Sequence, residues 1–185
     1  MVYLPQEDSH LLGKEVKRYI SRIKNKKQKE KLKILDMGSG SGIQAQTCLK
    51  SGIKRENILA VDVDKEAVKF LKSKNIKAIH SDLFSKVRSK FDLIVFNPPY
   101  LPEHKYDKEK DTTGGKKGYE TILRFLKQAR SHLNKKGIIL LLFSSLSDPN
   151  FILEFALKRG YKANKLSEES LFFEKLFVYE LEIIR

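Results

Sequence analysis

The stretch Ile34-Leu35-Asp36-Met37-Gly38-Ser39-Gly40-Ser41-Gly42 reads as the end of a buried strand, a glycine turn and the start of a helix. Upstream of it, Leu11, Leu12, Val16, Tyr19, Ile20 and Ile23 recur at helical spacing, with Asp8 or Ser9 as the expected cap. The lysine-rich residues 24–33 in between read as a solvated helix end or loop. The first apolar run, residues 32–37, is joined downstream by runs at 58–63, 91–96 and 138–143, with a weaker one at 76–79. None of them alternates apolar with polar, so each is expected to be buried on both faces, as parallel strands are. Helical segments over 42–50, 65–74, 119–133 and 148–159 separate them, with Asp64 the expected cap of the second. Strand and helix alternating in this way predicts right-handed βαβ units and an α/β, doubly wound sheet with helices on both faces. Residues 171–184 carry Phe177, Tyr179, Leu181 and Ile183 at a period of two, which predicts a closing strand of reversed direction.

A chain of 185 residues suits one domain over 1–185, with residues 1–31 as a helical segment packed on the core. At that length roughly 70% of the unfolded surface can be buried, so neither disulfides nor metal are needed. The single Cys48 excludes a disulfide framework, and four scattered histidines show no metal-ligand spacing, so no metal is expected. No apolar run approaches the ~20 residues of a membrane span, and the acidic N-terminus does not read as a secretion signal, so a cytoplasmic location is expected. The net charge of +14 favours acidic partners such as nucleic acid, or else reflects a solvated lysine-rich surface; charge alone does not choose. Residues 101–118 have no apolar period and mix five lysines with four acids, which suggests a lid.

Two features of the glycine turn separate one cofactor class from another. The dinucleotide pattern is G-x-G-x-x-G, whereas Gly38, Gly40 and Gly42 are spaced G-x-G-x-G. Asp36, two residues ahead of Gly38, would repel a pyrophosphate. It could instead hold an ammonium while N–H groups around Ser39 and the helix start hold a carboxylate, as the amino-acid end of S-adenosylmethionine requires. Asp62, twenty residues after Gly42, stands where an acid accepts both ribose hydroxyls. Asp82, at the end of the third strand, can meet an adenine amino group, with Leu83 giving a backbone N–H and apolar contact. The bland reading is a tight turn and helix caps without a ligand; three acids ending successive strands argue against it.

The fourth strand ends Val95-Phe96-Asn97-Pro98-Pro99-Tyr100. Pro98 and Pro99 lack N–H groups and have fixed φ, so this exit is stiff. The Asn97 side-chain oxygen and the Pro98 carbonyl could accept both hydrogens of a planar –NH₂, and Tyr100 could stack on its flat face. A delocalised nitrogen is a poor nucleophile, and holding both hydrogens aims its lone pair at a methyl donor. The nitrogen becomes acidic only as the methyl arrives, so no strong base is required. Asn-Pro is also an ordinary turn signal, but in a chain with the glycine turn it is far more specific.

With these residues in view, the chain resembles HemK-type glutamine methyltransferases of translation release factors, in their short archaeal and eukaryotic branch. The resemblance rests on Tyr3-x-Pro5-x-Glu7-Asp8-Ser9-x-Leu11-Leu12, the glycine turn, Asn97-Pro98-Pro99-Tyr100 and Gly114-Gly115-x-x-Gly118-Tyr119-Glu120. It implies a class I, Rossmann-like methyltransferase fold with a seven-stranded sheet, six strands parallel and one antiparallel. It implies S-adenosylmethionine as cofactor and the glutamine of a Gly-Gly-Gln loop in a class I release factor as substrate. By the same resemblance Ser9, Asp36, Asp62, Asp82 and Leu83 contact the cofactor and Asn97 the substrate amide. The short branch also commonly pairs with a small zinc-binding activator along a sheet edge near the third strand, around 76–79. The rival reading is an N6-adenine or N4-cytosine methyltransferase acting on DNA or RNA, for which the chain shows no appended recognition domain. A non-catalytic nucleoside-binding subunit is a third reading.

Overall fold

A computed structural model describes residues 6–102 and 114–184. Tyr3 and Pro5 of the N-terminal motif, and most of the expected lid, lie outside the described residues. The chain runs α1 (Glu7–Arg22), α2 (Lys26–Lys31), β1 (Ile34–Met37), α3 (Ile43–Lys50), β2 (Ile58–Asp62), α4 (Lys65–Ser73), β3 (Ala78–His80) and β4 (Phe91–Phe96), then α5 (Glu120–Ala129), β5 (Leu133–Ser144), α6 (Pro149–Lys158), β6 (Tyr161–Ser170) and β7 (Lys175–Ile183). One seven-stranded sheet has the order β3-β2-β1-β4-β5-β7-β6. β7 runs antiparallel to both β5 and β6, and the other pairings are parallel. This is the class I methyltransferase sheet that the resemblance implied.

Both faces of the sheet are buried, which is why the strand sequences do not alternate. Ile34, Ala60, Leu93, Val95, Leu140 and Val178 pack with Leu12 and Val16 of α1, Cys48 of α3 and Leu71 of α4. Leu35, Met37, Val61, Ile94, Phe96 and Leu141 pack on the other side with Phe125 of α5 and Ile152 of α6. Where a third helix would cover that second face, the loop after β3 supplies Leu83, Phe84 and Val87 instead.

The structure departs from the sequence reading in four places. The apolar runs account for six of the seven strands the resemblance implies and leave β6 unassigned: of its ten residues only Tyr161 is buried, and its charged side chains suit a sheet edge, so it carries no apolar signal. β5 starts at Leu133 rather than near 138, because Gly137 and a register shift opposite β4 let the polar Asn134-Lys135-Lys136 join the ladder. The lysine-rich link forms the short helix α2, capped by the Asn25 side chain. Neither Asp8 nor Ser9 caps α1. Gln6 is the N-cap, without a side-chain capping bond, and both expected caps are buried inside the first turn. Asp64 does cap α4, accepting from the Glu66 N–H at 2.8 Å. Among the described residues, no helix is long and apolar enough to cross a membrane.

Candidate active site

β1 pairs with β2 on one side and β4 on the other, so the chain leaves β1 in opposite directions and the loops part at its carboxyl end. Open α/β sheets bind ligands in that crevice. Here it is a cleft of about 410 Å³, within the range of small-molecule sites. Its floor is the glycine turn. Gly38, Gly40 and Gly42 have φ of +60°, +48° and +76°, where a side chain costs roughly 1–2 kcal/mol per residue. A Cβ on Gly42 would lie 2.5 Å from Leu71 Cδ2, so glycine also lets α3 close against α4. Ser39 pins the turn, its N–H donating to the Val61 carbonyl at 3.0 Å and its Oγ to the Asp36 carbonyl at 2.6 Å.

The acids fall into two groups. Asp36 is 2% exposed, and its Oδ2 accepts the Ala45 N–H at 3.0 Å, so it caps the first turn of α3 from the strand. Burial lifts its carboxyl to about 7; the Ala45 N–H opposes that shift and the charge of Asp62 adds to it. Asp62 accepts the Gly40 N–H at 2.8 Å on one oxygen and the Asp64 N–H at 2.8 Å on the other, tying the turn to the end of β2. Burial raises its pKa, and those N–H groups work against the rise. Asp82 behaves differently. Its side chain is 56% exposed and pairs with Arg124 Nη2 at 2.6 Å on the cleft rim, while its neighbours Ser81 and Leu83 line the cleft. Leu83 sits at φ +46°, a strained conformation for a branched side chain, with its carbonyl taking the Ser81 hydroxyl at 2.9 Å.

The Asn97-Pro98-Pro99-Tyr100 exit forms the opposite wall. Asn97 Nδ2 donates to Asp8 Oδ2 at 2.9 Å, and the Tyr100 hydroxyl donates to the same oxygen at 3.3 Å. A carboxylate only accepts, so it turns the carboxamide nitrogen toward itself. Asn97 Oδ1 is left as a buried acceptor with no partner among the described residues. Two further contacts hold the exit. The buried Ser147 hydroxyl donates to the Tyr100 carbonyl at 2.7 Å. The Gly114–Gly118 segment folds against it so closely that a Cβ on Gly114 would lie 2.5 Å from the Pro99 carbonyl oxygen.

Of the residues the sequence singles out, Ser9, Asp36, Gly38, Ser39, Gly40, Asp62, Leu83 and Asn97 through Tyr100 line one cleft, whereas Gly42 packs behind it against Leu71 and Asp82 stands on the rim with Arg124. It missed Asp8 as a partner of Asn97, Gln44 (which donates to the Ser9 carbonyl at 2.8 Å), Arg124 and Glu174. Only Asp8 carried a signal, as part of Glu7-Asp8-Ser9, and it was read as a cap. Among the described residues no histidine lines the cleft.

The charge of the cleft points to its ligand. Among the described residues, Asp8, Asp36, Asp62, Asp64 and Glu174 line it against the one base Arg124, in a chain of net charge +14. Such walls disfavour a pyrophosphate and favour a cation. S-adenosylmethionine fits them, with a sulfonium and an ammonium outweighing one carboxylate.

Comparison with known proteins agrees with this chemistry. The family model "Methyltransferase small domain" matches residues 17–168. A relative from Methanocaldococcus jannaschii, provisionally named a protein N5-glutamine methyltransferase, is 35% identical over 96% of this chain and 89% of its own length. A release factor glutamine methyltransferase of Bacillus cereus is 30% identical over 65% of the chain, which spans 49% of that longer protein. The E. cuniculi Mtq2–Trm112 complex, described as methylating the termination factor eRF1, superposes with a TM-score of 0.78 at 23% identity, covering 98% of each chain, a likeness of fold. An acid-lined cleft with an amide oxygen unpartnered among the described residues is consistent with a cationic cofactor, and a family match across most of the length leads to one conclusion: the chain belongs to the methyltransferase small domain family of S-adenosylmethionine-dependent enzymes.

Proposed function

We propose that this enzyme methylates the side-chain amide nitrogen of the glutamine in the Gly-Gly-Gln loop of a class I translation release factor. The observation that carries the reading is Asn97, whose amide nitrogen is held by Asp8 and whose oxygen is buried and unpartnered among the described residues. An unsatisfied buried acceptor costs about 1–3 kcal/mol, which a planar –NH₂ donor would recover. The names of the Methanocaldococcus and Bacillus relatives support a glutamine target.

In this reading Asn97 Oδ1 and the Pro98 carbonyl accept the two amide hydrogens, Pro99 keeps the loop stiff and Tyr100 covers the amide's flat face. When bound, S-adenosylmethionine supplies an electrophilic methyl on a positively charged sulfur. Asp36 takes the cofactor's ammonium; Ser9 and the glycine turn, which Ser39 holds in shape, surround its carboxylate; Asp62 accepts the ribose hydroxyls. Leu83 packs on the adenine, and Asp82 reaches the adenine amino group by giving up Arg124. The walls exclude water and fix the approach line, which in oriented reactions contributes several kcal/mol.

The β3 edge of the sheet is the place for a small activator protein, zinc-binding by the resemblance stated above. β3 is an outermost strand, and the E. cuniculi neighbour is itself a two-protein complex. Co-expression followed by size exclusion, with Ile79→Lys as the disrupting variant, tests that pairing.

The decisive assay offers labelled S-adenosylmethionine with a release factor, total tRNA or duplex DNA. Label on the release factor that vanishes when the Gly-Gly-Gln glutamine is replaced is the expected result. Label confined to nucleic acid would overturn the protein reading in favour of an amino-base methyltransferase. Asn97→Ala is expected to abolish turnover while cofactor affinity stays within about threefold, because only ground-state contacts to the cofactor remain.

A further inference from the structure

The β6–β7 hairpin ends in two phenylalanines that no described residue covers. Phe172 is 92% exposed and Phe173 84%, the two most exposed large apolar side chains among the described residues. Turn residues are ordinarily Gly, Asn, Asp or Pro, and a Phe-Phe tip serves no turn chemistry. The rings meet edge to face, 4.5 Å between centroids and 86° between planes, so they form one knob rather than a flat slot.

The knob is fixed relative to the proposed methyl acceptor. The Leu171 N–H donates to the Glu174 carbonyl at 2.8 Å, closing the tip, and Leu171 packs against the same apolar cluster as Tyr100. The Lys175 N–H donates to Ser145 Oγ at 3.0 Å, and Ser147, two residues on, holds the Tyr100 carbonyl. Glu174, directly after the knob, lines the cleft; its Oε2 is buried without a hydrogen-bond partner among the described residues. One hairpin thus presents an apolar knob outside the cleft and an idle acceptor inside it.

The local charge selects the kind of polymer that fits. Residues 165–175 contain Lys165 and Lys175 against Glu168, Glu169 and Glu174, which is +2 − 3 = −1 in a chain of +14. A phosphodiester backbone would be repelled here while it is attracted elsewhere. An apolar polypeptide surface flanked by basic residues would be held.

We propose that the β6–β7 tip is the docking element for the polypeptide substrate, with Phe172 and Phe173 seated on an apolar patch beside the target loop and Glu174 accepting a hydrogen bond from a donor of that loop. The inference rests on the protein-glutamine reading above and assigns it a recognition surface. Exposed aromatic pairs are the kind of anchor that dominates binding energy once a partner buries them.

The test compares wild type with the double variant Phe172→Ser, Phe173→Ser and with Glu174→Gln. Substrates are intact release factor, a hexapeptide containing Gly-Gly-Gln, tRNA and duplex DNA; cofactor affinity is measured by calorimetry. The double variant is expected to raise KM for the intact factor about tenfold or more, which a lost hot-spot contact of about 1.4 kcal/mol represents. Its kcat, cofactor affinity and peptide methylation should stay within about twofold. Glu174→Gln is expected to raise KM for factor and peptide alike. An unchanged KM for the intact factor in the double variant overturns the docking role while leaving the protein-glutamine reading standing. Equal loss on factor and peptide overturns it as well, since the phenylalanines would then act on the site rather than on docking. Wild type that labels nucleic acid alone, or nothing, overturns both readings.

Discussion

A carboxamide can offer its oxygen or its nitrogen, and at Asn97 the choice is made by a carboxylate 89 positions away in the sequence. Asp8 is 3% exposed and receives the Ser9 N–H, the Asn97 amide and the Tyr100 hydroxyl, so it orients the residues proposed to face the substrate. Asp8→Asn keeps the shape but offers an NH₂ that draws the Asn97 oxygen toward it. Turnover should fall about 100-fold, the scale of a misaligned reacting group, with cofactor affinity within about threefold; an unchanged kcat would remove Asp8 from this role. Asp36 makes a prediction in pH. Its carboxyl, lifted to about 7, must be ionised to hold an ammonium. Below about pH 7 it is protonated in the free enzyme, so cofactor affinity should rise by up to about tenfold per unit between pH 5 and 7. It should fall again above pH ~8, where an α-amino group loses its proton. Calorimetric titration measures this, and Asp36→Asn should flatten the lower limb. Asn97 was legible from the strand-then-Asn-Pro-Pro-Tyr pattern; the work of Asp8 was not, because only the folded chain brings α1 against the end of β4.

At the scale of elements, the turn between β1 and α3 shows how closely sequence can dictate geometry. All three of its glycines adopt left-handed φ, and Gly42 also leaves no space for a methyl beside Leu71. Gly42→Ala should therefore destabilise the protein by about 2–4 kcal/mol, combining the left-handed penalty with overpacking. Urea denaturation reads it out, and a loss below about 1 kcal/mol would mean that α3 shifts freely. The central strands were legible because they are buried on both faces and apolar throughout. β6 was not: it lies at the sheet edge, where Lys and Glu guard against strand addition and only pairing with β7 identifies it as a strand. Asp8 and Ser9 were misread for a related reason: a capping residue and a buried polar residue in a first helical turn look alike until the packing partner is present.

Over the whole molecule the charge is divided. A chain of net charge +14 closes around a cleft whose walls, among the described residues, carry five acids and one base. A ligand bound only to the folded state stabilises it by about 2.7 kcal/mol at 100 times its Kd. For a chain of this size that corresponds to a thermal midpoint raised by roughly 5–11 °C. S-adenosylmethionine should give that rise in a melting scan and a dinucleotide none; the reverse would contradict the cleft's assignment. The sequence by itself determined the strand-turn-helix units, the doubly wound class and the glycine turn, and it marked Asp36, Asp62 and Asn97 as the side chains to look for at the strand ends, because burial periodicity and backbone conformation are local properties of the chain. Only the tertiary structure decided which way the Asn97 amide points, that Asp82 turns to Arg124, and that Glu174 joins the cleft beside an exposed aromatic pair. Those depend on contacts between segments far apart in the chain, whose distances and unmet hydrogen bonds exist only after the sheet has closed.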